Sequence, residues 1–180
     1  MITEFTEMFN SQHRCDVHFQ FNNGKTIGAH ILILSARNPV FASMFQSGMF
    51  ESQTRKLIII ITDIDEEVFR QLLIHLYSGI APKIQEKNIT QPLYIAADKY
   101  DIETLKSECI DVLLKKLGVT NAIELFIWSH LHFVPKIFES AMKCLVQNRR
   151  EICLLPKWLD FVKSHPELSV LVTQRMVNLV

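Results

Sequence analysis

The longest uninterrupted run of branched aliphatic residues in the chain is Leu57-Ile58-Ile59-Ile60-Ile61. It is far shorter than the roughly 20 residues a membrane helix needs. Its β-branched side chains crowd the preceding turn of a helix but fit a pleated strand. Because apolar residues occupy both alternating sets, the run is expected to be a strand buried on two faces, packed within a sheet and against helices. That expectation places the chain in the α/β class. Upstream, Val17, Phe19 and Phe21 alternate with His18 and Gln20, and Asn22-Asn23-Gly24-Lys25 follows. Alternation followed by Asn-Gly is a hairpin signal, with Thr26 to His30 as the returning strand.

Helical spacing accounts for most of the remainder. Ile2, Phe5, Met8 and Phe9 form a two-turn apolar stripe, and Ala36, Val40, Phe41, Met44 and Phe45 form another, with Pro39 in an early turn. Asp65 is placed to cap a helix carrying Val68, Phe69, Leu72, Leu73, Leu76 and Tyr77, stopped by Gly79. Residues 89–99 predict another helix. Asp101 is placed to cap the next, with stripe Ile102, Leu105, Cys109, Val112, Leu113 and Leu117, closed by Gly118. After Gly118 only helix signals remain: capping-box spacing at Asn121/Glu124 and at Ser164/Glu167, and Pro135 and Pro156 as helix openers. Four short antiparallel helices are expected there.

Nineteen basic residues balance nineteen acidic ones, so no overall field draws the chain to phosphate backbones. Neither direct nucleic-acid contact nor membrane insertion is expected. Zero net charge removes colloidal repulsion and suits association with protein. The opening lacks the basic and apolar regions of a secretory signal, and Cys15, Cys109, Cys144 and Cys153 form no close pair. Four free thiols in a reducing compartment, nucleus or cytoplasm, are therefore expected, all within strands or helices.

Catalytic signatures are missing from the sequence. Gly24, Gly28, Gly48, Gly79 and Gly118 are isolated, so neither a dinucleotide fingerprint nor a Walker loop passes through them. No G-x-S-x-G elbow and no H-E-x-x-H pair occurs. Cys15 among His13, His18 and His30 is the single cluster with metal-ligand chemistry, but neighbours on a strand point to opposite faces, whereas structural zinc needs four convergent ligands. No enzyme activity, cofactor or metal is expected.

Asp16-Val17, Ala29-His30, Leu34-Ser35-Ala36-Arg37-Asn38-Pro39-Val40-Phe41 with Met44-Phe45, the apolar strand leading to Asp63, Val68-Phe69 to Tyr77-Ser78-Gly79, and Ala96-Ala97-Asp98-Lys99-Tyr100 stand in an order that resembles the BTB/POZ domain, most nearly that of the speckle-type POZ protein group. The resemblance implies a BTB/POZ fold, a small sheet surrounded by helices, over residues 1–117. It implies a 3-box and partial BACK-like helical region over 118–180. By function it implies a homodimeric, non-catalytic adaptor that carries a cullin-3 ubiquitin ligase to substrates bound through a separate domain. The alternative is a BTB dimerisation scaffold in transcriptional regulation without a cullin.

By the same resemblance, Met49, Phe50 and Glu51 fall on the family's hydrophobic-x-Glu cullin contact, with Asp98, Lys99 and Tyr100 as its second part. Phe5, Met8, Phe9 and Leu32 fall on the dimer interface. A two-turn helix cannot hold alone and must bury its apolar face, which independently favours a contact there. One departure is Ile31, where many transcription-factor members carry a basic residue beside the position of Asp16; this weakens the scaffold alternative. In the speckle-type group a substrate-reading domain precedes the BTB domain. Here 15 residues precede Asp16, so a chain without a reader and a chain whose reader lies outside these residues both remain open.

Overall fold

The alternation of Val17, Phe19 and Phe21 is kept as β1 (Val17–Phe21), the central strand of the sheet. The computed structural model describes residues 2–46 and 57–177. Around β1 the chain forms α1 (Ile2–Ser11), β2 (Thr26–Ala29), α2 (Ile31–Arg37), α3 (Pro39–Gln46), β3 (Leu57–Ile61), α4 (Glu66–Ser78), α5 (Thr90–Lys99) and α6 (Glu103–Lys115). Strand order is β2-β1-β3, with β2 antiparallel to β1 (Val17 opposite Ala29) and β3 parallel to it (Val17 opposite Leu57). The result is a small mixed sheet with helices around it, followed by an all-helical extension.

One face of the sheet is the core. Phe19 is fully buried, its ring 4.8 Å from Phe69 and 5.9 Å from Phe41. The other face overturns one expectation. Ile58 and Ile60 are 62% and 68% exposed, while Ile61 is buried. Helices cover the face that Leu57, Ile59 and Ile61 share with Val17 and Phe19, whereas Ile58 and Ile60 lie in register with His18 and Gln20 on the other side. β3 is therefore buried on one face only.

Local signals fix several element ends. Asp65 Oδ1 accepts from the Glu67 N–H at 2.9 Å, and Gly79 ends α4 at φ 78°, a left-handed conformation that a Cβ disfavours. Gln12 straps the end of α1 to β2: its Oε1 accepts from the Gly28 N–H at 2.6 Å and its Nε2 donates to the carbonyls of Phe9 and Gly28. At Gly28 a Cβ would lie 2.7 Å from Cys15 Sγ, so the close approach requires glycine. Asp101, expected as a cap, instead takes φ 54° in the turn before α6, which begins at Glu103.

Packing divides the chain into Met1–Cys109 and Ile110–Val180. The second unit contains α7 (Ala122–Leu131), α8 (Pro135–Gln147), α9 (Arg149–Ile152), α10 (Pro156–Ser164) and α11 (Pro166–Val177), one short helix more than expected. Phe126 stacks on Phe138 at 4.6 Å and meets Phe161 edge-on, with Ile137, Leu145 and Val172 buried alongside. Neither capping box forms. Asn121 Oδ1 accepts from the Gly118 N–H and its Nδ2 donates to the Lys116 carbonyl, while Ser164 Oγ donates back to the Asp160 carbonyl. None of the four cysteines forms a disulfide; Cys15 lies between α1 and β1 and the exposed Cys153 in the turn after α9, so these two are not inside an element as expected. Among the described residues no helix is long and apolar enough to cross a membrane.

Candidate partner-binding site

α1 divides its apolar stripe between the chain's own core and the surface. Phe9 is 1% exposed with its ring 5.0 Å from Tyr77, so its side chain belongs to the core and not to the outer face. Met8 remains exposed, and Leu32 in the first turn of α2 is 79% exposed. Phe5, Leu32, Ile33, Ala36, Arg37 and Tyr77 line a hollow of about 240 Å³ beside them. Its wall is held from within: Tyr77 Oη accepts from the His30 N–H at 2.8 Å and lies 2.8 Å from His30 Nδ1, and His30 Nε2 reaches the His13 carbonyl at 2.9 Å. The consistent arrangement has the Tyr77 hydroxyl donating to Nδ1 and Nε2–H donating to His13. Burial pushes the Tyr77 phenol well above its usual range, so it stays a donor. Asp16 Oδ1 accepts from the Ile31 N–H at 2.8 Å, anchoring the start of α2 through the main chain. That bond is indifferent to the side chain at position 31.

With both its nitrogens engaged, His30 is not a metal ligand, and Cys15 packs as a small buried residue against Gly28. Among the described residues no group of three or more ligating side chains converges.

A second surface lies where α5 turns into α6. Lys99 Nζ bonds both Asp63 carboxylate oxygens at 3.0 and 2.8 Å, and Lys106 joins Asp98 at 2.7 Å and Glu103 at 2.9 Å. The hydrogen bond from Lys99 holds the Asp63 carboxyl below its usual range. The hydrogen bonds that Lys106 donates to Asp98 and then to Glu103 hold its ammonium above the usual range. Asp98 and Lys99 thus show half-exposed charges in fixed positions. Tyr100 does not join them: it is 1% exposed, stacked on Phe41 at 4.7 Å, and burial pushes its phenol up to about 12. Its side chain is core, and its main chain is a tether, because Asn38 Nδ2 donates to the Tyr100 carbonyl at 2.7 Å while Asn38 Oδ1 accepts from the Phe41 N–H at 2.9 Å. One buried amide thereby starts α3 and fastens it to the α5–α6 turn. Met49, Phe50 and Glu51 follow α3 in the sequence and lie outside the described residues.

Sequence reasoning identified Asn38, His30 and Tyr77 as members of motifs without a role for each. It missed Gln12 altogether, since a lone glutamine after a short helix carries no local signal of a bond 16 residues ahead.

Residues 5–117 match the BTB/POZ domain family, and the chain belongs to it. It is 32% identical over 169 residues to Protein maternal effect lethal 26 of Caenorhabditis elegans, covering 93% of this chain and 42% of that protein. It is 34% identical over 145 residues to TD and POZ domain-containing protein 1 of Mus musculus, covering 81% and 39%. The chain spans about two fifths of the length of these curated relatives. Among solved structures it is similar to the BTB domain of zebrafish PATZ1, at 20% identity and a TM-score of 0.52, over 63% of this chain and 87% of that one. BTB/POZ domains are a non-catalytic protein-interaction fold, and self-association and binding to other proteins are the activities membership brings.

Proposed function

We propose that the chain is the homodimeric, cullin-3-binding module of a ubiquitin-ligase substrate adaptor, of the kind found in the speckle-type POZ protein group. The observation that carries this reading is the Asn38 tether. It makes the helix that leads into Met49-Phe50-Glu51 and the turn bearing Asp98 and Lys99 one rigid base, as a contact surface drawn from two distant segments requires. Asp98 and Lys99 then supply the charged contacts and Tyr100 positions them from below. Met49 and Phe50 supply apolar area, and Glu51 fixes orientation through a charge-assisted bond. The outer face of α1 and α2, where Phe5 and Leu32 line the apolar hollow and Met8 is exposed, supports a twofold contact between copies. Substrates fall to a separate domain where the full-length protein has one. Four cysteines without a disulfide support residence in nucleus or cytoplasm. Titration with the N-terminal region of cullin 3 tests the reading: saturable binding with Kd below about 50 μM supports it, and no binding leaves a dimerisation scaffold.

A further inference from the structure

The geometry points to β3 as a second self-association edge, pairing antiparallel with β3 of another copy through Ile58 and Ile60. β3 is the last strand of the sheet, and among the described residues no strand pairs with its outer edge. The Leu57 N–H donates to the Asp16 carbonyl at 3.0 Å, so Leu57, Ile59 and Ile61 direct their main-chain groups to β1. Successive residues of a strand direct theirs to opposite sides, which turns the N–H and C=O of Ile58 and Ile60 to the outer edge. The same two residues carry the exposed side chains. Polar main-chain groups along the edge and apolar side chains on the face beside it form a template for another strand.

The strand is its own complement. With the twofold axis at Ile59, Ile58 of one copy stands opposite Ile60 of the other, and Ile60 opposite Ile58. Both are hydrogen-bonded pairs of an antiparallel ladder, and all four side chains meet on the open face. No like charges oppose one another, because β3 is wholly apolar and its neighbours on that face are His18, Gln20, Gly28 and Thr26. The Lys, Pro or bulge with which edge strands usually discourage pairing does not occur within Leu57–Ile61. Four isoleucines at this exposure offer about 500 Å², below the roughly 1,200 Å² of a stable dimer. The pairing is therefore weak and concentration-dependent, and it uses a face separate from α1 and α2.

Sedimentation velocity of the full chain from about 5 to about 500 μM brackets such an affinity. The parent is expected to gain mass above its low-concentration state. Ile58→Lys/Ile60→Lys, which sets lysines opposite each other at the axis, is expected to weaken that step about tenfold or more. Ile58→Thr/Ile60→Thr keeps β propensity and serves if the lysine pair does not fold; it too is expected to weaken the step. Leu32→Asp is expected to leave the step in place, which separates this edge from the α1–α2 face. Amide exchange should slow with concentration at Ile58 and Ile60 and stay constant at Ile59 and Ile61. Identical mass curves for parent and both pairs of substitutions would overturn the proposal. So would Ile58 and Ile60 amides already protected at the lowest concentration, which would mean that the chain covers the edge itself, and so would protection that grows only when an unrelated extended peptide is added.

Discussion

Replacing Asn38 by alanine removes both bonds of the buried amide at once and leaves the Phe41 N–H and the Tyr100 carbonyl without them. A buried polar group stripped of its partner costs about 1–3 kcal/mol. Asn38 is 3% exposed and its bonds are 2.7 and 2.9 Å long, so solvent does not replace them. The loss of a helix N-cap, about 1 kcal/mol, is the same event seen from α3 and is not added. The expected destabilisation of Asn38→Ala is about 2–4 kcal/mol. Asn38→Ser keeps an acceptor for the Phe41 N–H and loses the longer reach to Tyr100, so it should cost about half as much. Urea unfolding of the full chain followed by circular dichroism measures both, and native-state exchange of the Phe41 amide reports the cap by itself. A cost below about 1 kcal/mol for alanine, or equal costs for serine and alanine, would refute the two-bond tether.

Other consequences are equally direct. Gly28→Ala drives a Cβ to within 2.7 Å of Cys15 Sγ, 2.8 Å of Cys15 Cβ and 3.0 Å of Gln12 Oε1; melting curves should show a loss of about 1–3 kcal/mol, and Cys15→Gly in the same chain, which removes both cysteine atoms, should relieve more of the clash than Cys15→Ala, which removes Sγ alone. Burial holds His75 below the usual histidine range, so its unfolded form takes up a proton near pH 6.5 before the folded form does. The stability tied to neutral His75 is present above that pH and lost as pH falls below it, whereas Glu108, held above the usual carboxylate range by burial, acts in the opposite sense. The stability gap between parent and His75→Phe should therefore shift in favour of the variant from pH 7.5 to about 5.5; parallel curves would contradict this. Light scattering should report twice the 20.9 kDa chain mass, and Met8→Asp/Leu32→Asp should give a folded monomer, because desolvated carboxylates would then face apolar surface; an unchanged mass would remove the α1–α2 contact.

What could be read from the chain was what is local. β1, its Asn-Gly turn, and α4 between Asp65 and Gly79 each follow from neighbours within a few residues, and the order of short motifs carried the fold class. The exposed face of β3 could not be read, because five consecutive apolar residues do not say which side the helices cover. The division of α1 between an inward Phe9 and an outward Met8 depends on Tyr77, which lies 68 residues beyond Phe9. The Asn38–Tyr100 bond spans 62 residues. Asn121 has capping-box spacing, yet it bonds backward to Lys116 and Gly118, since spacing alone does not choose between an amide ahead and a carbonyl behind. For the candidate contact surface, residue types pointed to Asp98, Lys99 and Tyr100 together, and only packing separates the two surface charges from the core ring.

The proposed contact with cullin 3 uses Met49-Phe50-Glu51, which follow in sequence the helix that Asn38 ties to the α5–α6 turn. The most direct test is calorimetric titration of the cullin 3 N-terminal region into parent and Glu51→Lys, with a melting curve for each. Reversing the charge at the orienting residue should weaken binding about tenfold or more and leave the melting temperature within about 2 °C. Equal affinity of the two folded proteins, or no heat of binding from the parent, would rule this contact out.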